Sequence, residues 1–190
     1  MIKELKDGLK LYHGSYCQIT SPDIAKCLPF KDFGKGFYLT TSKRQAEGFS
    51  RLSLRKAIDN KKVDPNQTES FVSCFIYHNH EKLKIFTHKT TDKLWLHCVI
   101  AYRNENYFEN LIEKFKKYDV ICGKIADDAT NITIINYMSE SYGKIGTKSS
   151  ISECISKLRP DRLKDQYCFR TKKSLSCLEL HNIKTIYQCI

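Results

Sequence analysis

Two short segments carry side chains whose types and spacing could do chemistry. His13 ends a strand-like run, Lys10 to His13, and is followed at once by Gly14 and Ser15. Gly34 and Gly36 flank a lysine and lead into Phe37, Tyr38, Leu39 and Thr40. Glycine lets a backbone turn and come close to a ligand, and the short strand after it delivers Tyr38 to that spot. An imidazole at a strand end, beside glycines and an aromatic ring, has the makings of a pocket edge. The same residues also read as a structural histidine and an ordinary loop. Asp127 and Asp128 follow a buried strand, where they could act as acid or base or could cap the next helix. His78, His80 and His88 lack the ligand spacing and cysteine company of a zinc centre, so no metal is expected.

The elements that must position these groups follow from pattern. Ser42 and Gln45 have the form of an N-cap with its capping-box partner, opening a helix over Ser42 to Asp59 whose Ala46, Phe49, Ala57 and Ile58 face inward. Phe71 to Tyr77 and Leu83 to Phe86 read as two strands of a hairpin around Asn79 and His80. Trp95, Cys98, Val99 and Tyr102 form a helical core stripe within Asp92 to Arg103. An amphipathic stretch, Tyr107 to Lys117, precedes a buried strand from Tyr118 to Ile125, then a helix from Thr130 to Tyr142. Ser150 to Glu153 begins another helix, with Ile151, Cys154, Ile155 and Leu158 inward and Pro160 as its stop. Gln166 to Phe169 is a strand, Thr171 starts a short helix, and Lys184 to Gln188 is a last strand. The pattern is mixed α and β, with strands too scattered for a parallel βαβ array.

Composition bounds the class. The 190 residues suit one domain, 1–190, since no linker-like segment divides them. The formal charge of +11, from 32 Lys and Arg against 21 Asp and Glu, favours anionic partners, although scattered lysines also make an ordinary solvated surface. Nine cysteines without a CxxC pair, Cys98, Cys122, Cys154 and Cys168 among them in apolar runs, read as buried thiols of a reducing compartment rather than a disulfide framework. Met1 to Gly8 lacks the apolar core of a signal peptide, and no apolar run is of membrane-spanning length. A cytoplasmic protein without membrane partners is expected, export without a cleavable signal being the alternative.

Leu11, Tyr12, His13, Gly14 and Ser15, then Phe33 to Tyr38 and Phe49 eleven residues on, resemble the first two signature blocks of ADP-ribosyltransferases of the poly(ADP-ribose) polymerase and diphtheria toxin type. The wider pattern is similar to the bacterial family of uncharacterised domains numbered DUF3990, usually placed in the ADP-ribosyltransferase clan. It comprises Lys31 to Thr41 with Gln45 and Ala46, Trp95 to Arg103, Tyr118 to Val120 with Gly123, Ala126 to Asp128, and Gln166 to Phe169 with Leu175. The resemblance covers Leu11 to about Leu180.

It implies an α+β fold with an ADP-ribosyltransferase-like split mixed β-sheet core and peripheral helices, with NAD as co-substrate and no metal. Breaking the nicotinamide–ribose bond builds positive charge on the ribose, so a site must hold nicotinamide flat, fix the ribose and answer that charge. By resemblance Tyr38 and Phe49 sandwich the nicotinamide, His13 bonds a ribose hydroxyl and Gly14 clasps the carboxamide. Ser15, Gly36 and Phe37 complete the NAD-binding set, and His13, Tyr38 and Gln166 are the catalytic residues. Gln166 stands where the related polymerases carry a glutamate, which argues against chain elongation and leaves single transfer, with Asp127 or Asp128 as a further acid or base. The implied function is a mono-ADP-ribosyltransferase, a toxin or effector acting on a macromolecule, a protein ahead of a nucleic acid, with a small neutralising partner protein. The alternatives are a silent module binding NAD, ADP-ribose or a protein, and an NAD glycohydrolase.

Overall fold

Strand-forming runs rich in Val, Ile, Phe and Tyr settle into two sheets. A computed structural model describes residues 2–104, 106–126, 128–159 and 163–187. In the first sheet β1 (Lys10–Ser15) and β7 (Leu178–Tyr187) flank β3 (Glu69–Tyr77), all antiparallel, in the order β1-β3-β7. In the second the order is β2-β6-β5-β4, from β2 (Phe37–Leu39), β6 (Asp165–Phe169), β5 (Val120–Lys124) and β4 (Ile85–Thr87). The pair β4–β5 is parallel and the rest of that sheet antiparallel. Among the described residues six α-helices complete a mixed α and β architecture.

Alternation of side chains across each strand builds the layers. Leu11, Phe75 and Tyr77 of the first sheet pack against Leu39, Val120, Tyr167 and Phe169 of the second. The other face of the second sheet, through Ile121 and Cys168, meets Phe33 and the helix α2 (Lys93–Arg103). Every residue of α2 from Trp95 to Tyr102 is buried, so this helix is apolar on nearly all sides, as an interior helix must be. Asp92 caps it by accepting from Trp95 N (3.0 Å), and Trp95 Nε1 donates to Lys124 O (3.0 Å), which fixes α2 against β5. The helices α4 (Asp128–Met138) and α5 (Lys148–Leu158) pack outside α2, while α3 (Glu109–Lys116) lies beside it.

The helix α1 (Lys43–Asp59) covers the outer face of the first sheet, Ala46 packing with Val72 and Ile186. Its cap is Ser42, whose Oγ accepts from Gln45 N (3.3 Å). The reciprocal half of the expected box does not form, because the Gln45 amide oxygen accepts instead from Thr40 Oγ1 (2.9 Å). Phe49, expected inward, is 50% exposed.

Three further sequence expectations are corrected. Leu83 to Phe86 is not the second arm of a hairpin: both edges of β3 are already taken by β1 and β7, so the chain crosses to the other sheet and Ile85 pairs with Val120. The last strand begins at Leu178, six residues before the expected Lys184, because a bulge opposite Cys74 and Phe75 interrupts its alternation; Gln188 lies outside the described residues. The helix expected from Ser150 is capped by Thr147, and Ser150 lies within its first turn. A short helix α6 (Lys172–Leu175), capped by Thr171 in a complete capping box, links the two sheets through β6 and β7.

Candidate functional site at the junction of the sheets

The sheets join where β1 meets β2. Tyr12 N donates to Thr40 O (2.8 Å) and Thr40 N to Tyr12 O (3.0 Å), an isolated bridge rather than a ladder. In an antiparallel pair, alternate residues turn their backbone groups to opposite sides. Leu9 bonds to Tyr77 of β3 and Tyr12 to Thr40, so the N–H and C=O of Gly14, two residues beyond Tyr12, face away from β3 and toward the β2 side. There the strands have parted. His13 spans the opening, its Nδ1 bonding Tyr38 O at 2.8 Å. A carbonyl only accepts, so Nδ1 carries the proton. Burial lowers the pKa of the ring, which is therefore neutral at pH 7 and keeps Nε2 as an acceptor. The imidazole lies against Phe37, with ring centroids 4.4 Å apart.

The missing side chain of Gly14 is what lets α1 approach. A Cβ there would stand 2.7 Å from Ser50 N and closer still to Ala46 O. Phe49, half exposed, belongs to the same helical turn.

Tyr38 is fixed by the loop that precedes it. Its Oη accepts from Phe33 N (2.9 Å) and donates to Gly34 O (2.7 Å). Burial above all, with Cys168 and Asp32 nearby, pushes the phenol pKa well above its ordinary value, so the hydroxyl stays protonated. Gly34, at φ +79°, supplies the left-handed turn, and Gly36 lies so close to β6 that a Cβ would come 2.8 Å from Phe169 O. Both glycines of the motif thus answer to chain geometry.

Register places Tyr38 opposite Cys168, so Gln166 shares a face of the sheet with both. Gln166 is 5% exposed, and its Nε2 donates to Asp32 Oδ2 (2.6 Å) and Lys124 O (3.2 Å). Among the described residues Asp32 gathers four donors. Arg103 Nε (2.9 Å) and Nη2 (2.6 Å) reach Oδ1, while Ala126 N (2.8 Å) and Gln166 reach Oδ2. Arg103 Nη2 also donates to Ala126 O, and Nη1 to Asn131 Oδ1 (3.1 Å).

A family model described as "Protein of unknown function (DUF3990)" matches residues 9–180 and spans all of these elements. The chain belongs to the DUF3990 family. No curated protein and no solved structure matches it.

In this DUF3990 chain, His13, Gly14, Phe37 and Tyr38 come together at the junction, with Phe49 on the adjoining turn of α1. Ser15 is buried, and its Oγ accepts from Cys17 N (3.4 Å). Gln166 is held on the Tyr38 face by Asp32. Asp127 lies outside the described residues; Asp128 opens α4, and nothing is described of its side chain. Sequence reasoning missed the roles of Asp32 and Arg103. The available signal was a single acid between Lys31 and Phe33 just before the glycine motif, but nothing local names partners at positions 103, 126 and 166. Beyond Ser15, where β1 ends, Tyr16, Cys17, Gln67 and Phe71 line a concave region of about 520 Å³.

Proposed function

We propose that this chain is a mono-ADP-ribosyltransferase that takes NAD at the junction of its sheets, its two-sheet core being the split core of that fold. The observation that carries the reading is the parting of β1 and β2 after the Tyr12–Thr40 bridge. It turns the N–H and C=O of Gly14 to the gap beside His13 and Tyr38. Gly14 is buried, and a backbone donor and acceptor turned to one side of one residue match a carboxamide, which needs both. Nε2 of His13 is an acceptor suited to a ribose hydroxyl, and Phe49 offers an exposed aromatic face for a flat ring. The concave region beyond Ser15 has the volume for an adenosine, and its Asp64 and Glu69 suit hydroxyl and amino groups rather than phosphates.

In the transfer the bond from ribose C1′ to nicotinamide breaks, and nicotinamide leaves with the electron pair. The acceptor nucleophile bonds to C1′ and gives up its proton. Positive charge develops at the ribose in between. Asp32 is the nearest described carboxylate to Gln166, and its charge is already answered by Arg103. The chain therefore offers binding and orientation more than a free carboxylate at this step, which fits single transfer to a good nucleophile.

A second reading is binding without transfer. It is favoured by the engagement of both Gln166 amide hydrogens, with Asp32 and Lys124 O. Incubation with labelled NAD and a cell lysate separates the two. Label on macromolecules, lost in His13→Ala and Phe49→Ala, supports transfer. Free nicotinamide without label supports hydrolysis. NAD binding with neither product supports the binding module, and no NAD binding sinks every reading that places NAD at the junction.

A further inference from the structure

The register of the first sheet sets Tyr12, Cys74 and Asn182 side by side on β1, β3 and β7. Strand alternation puts this row on the face of β1 opposite to Leu11 and His13, away from the junction described above. The helix α1 covers that face where Ala46 meets Val72 and Ile186, and it begins at Lys43. Past its start the row is left as a recess of about 190 Å³, lined by Lys10, Tyr12, Lys43, Cys74, His181 and Lys184 together with Asn182.

A bulge brings His181 to this recess. Cys74 pairs with Asn182 and Phe75 with Leu180, so His181 is the extra residue of β7. Neighbours on a regular strand point to opposite faces, yet His181 and Asn182 line the same recess. A bulge re-aims a side chain in this way.

The chemistry of the lining is one-sided. No carboxylate contributes to it, and three ammonium groups arrive from three elements, β1, α1 and β7. Among the described residues Lys10 and Lys43 have no carboxylate partner, while Lys184 Nζ is 3.0 Å from Glu47 Oε1 on α1. Burial raises the pKa of Tyr12 and Cys74, so both stay protonated and able to donate. The start of α1 adds the partial positive charge of a helix N-terminus. A metal cation would meet three like charges here. An anion would meet donors on every side.

Size narrows the class. Pockets that bury a whole drug-sized ligand run to about 300–1,000 Å³. This recess, at about 190 Å³, has room for a phosphate and little more. We propose that the recess on the outer face of the first sheet binds the terminal phosphate of a phosphomonoester, its dianion held by Lys10, Lys43 and Lys184. The site is separate from the junction and does not depend on the reading of the junction.

Calorimetric titration of the full chain tests this with inorganic phosphate, glycerol 3-phosphate and an oligonucleotide lacking terminal phosphates. Saturable one-site binding of the first two is expected, with the oligonucleotide at least tenfold weaker. Lys10→Gln and Lys43→Gln should each weaken binding by about tenfold, as the loss of one charge-assisted contact does. Both lysines are exposed, so the variants should melt with the parent; Lys10→Met and Lys43→Met are the substitutes should either fail to fold. No saturable binding, equal affinity in all variants, or an oligonucleotide as tight as glycerol 3-phosphate overturns the proposal.

Discussion

Gln166 Nε2 donates to Asp32 Oδ2 at 2.6 Å, joining residues 134 positions apart in the chain. The bond belongs to a buried cluster that ties the loop before β2 to the end of α2, to the segment after β5 and to β6. Asp32 is 5% exposed and Arg103 is its ionic partner.

Removing the charge of Asp32 should therefore cost far more than breaking a surface pair. Asp32→Asn leaves the Arg103 guanidinium, only 23% exposed in its side chain, without its counterion. A loss of about 3 kcal/mol is expected, the scale for a buried pair deprived of one partner. Urea denaturation measures it, and a loss below about 1 kcal/mol would place the pair with ordinary surface bridges.

Placing a glutamate at position 166 should unsettle the cluster around Asp32. Gln166→Glu brings a second carboxylate to the oxygen that now accepts from the amide, and two such groups do not ionise together. The variant should be less stable than the parent at pH 8 and recover as pH falls toward 5, where one proton is shared. A thermal melt across that range checks the sign. A variant as stable as the parent at pH 8 would mean that Gln166 can swing away from Asp32.

Two glycines near one another in space should respond in opposite directions. Gly14→Ala drives a Cβ into the α1 backbone at Ala46 and Ser50, which cannot yield as a side chain could, at a cost of about 1–3 kcal/mol. Gly48 lies within α1, and nothing stands within 4 Å of a Cβ added there. Gly48→Ala should stabilise by about 0.5–1 kcal/mol, the helix preference for alanine. Paired denaturation curves read both changes.

Acid should weaken the fold through its buried histidines. Burial lowers the pKa of His88 and of His97 from 6.5 to about 4. His88 Nε2 is buried with no hydrogen-bond partner among the described residues, and His97 stacks on Phe108 with centroids 3.9 Å apart. Between pH 6.5 and about 4 the unfolded chain binds protons that the folded rings refuse. Stability accordingly falls as pH drops through that window and levels off below it, a tenfold difference in proton affinity between folded and unfolded chain being worth about 1.4 kcal/mol. The melting temperature should follow, and His88→Gln should flatten part of the decline.

The sequence exposed most elements because their signals are local. Ser42 and Asp59 bracket α1, and the stripe from Trp95 to Tyr102 marks α2. Partnership between strands was less visible. Leu83 to Phe86 looked like a hairpin arm because the rule for hairpins sees only neighbouring runs, whereas the crossing to β5 depends on both edges of β3 being filled. At the junction, motif spacing brought out His13, Gly14 and Tyr38. It could not reveal that Tyr38 Oη is spent on Phe33 and Gly34, or that Gln166 answers to Asp32. Such bonds join positions whose distance in sequence carries no period.

The Tyr12–Thr40 bridge has a mechanical consequence. One pair of hydrogen bonds joins the backbones of β1 and β2 among the described residues, so the angle between the sheets is held by the core packed between them, Leu11, Phe75 and Tyr77 against Leu39, Val120, Tyr167 and Phe169, more than by a ladder. Strand β1 is also a wall with two sides: Tyr12 fronts the lysine recess, and His13 and Gly14 front the gap. The two faces of one strand thus carry different chemistry, ammonium groups and a phenol on one side and an imidazole with a backbone amide on the other.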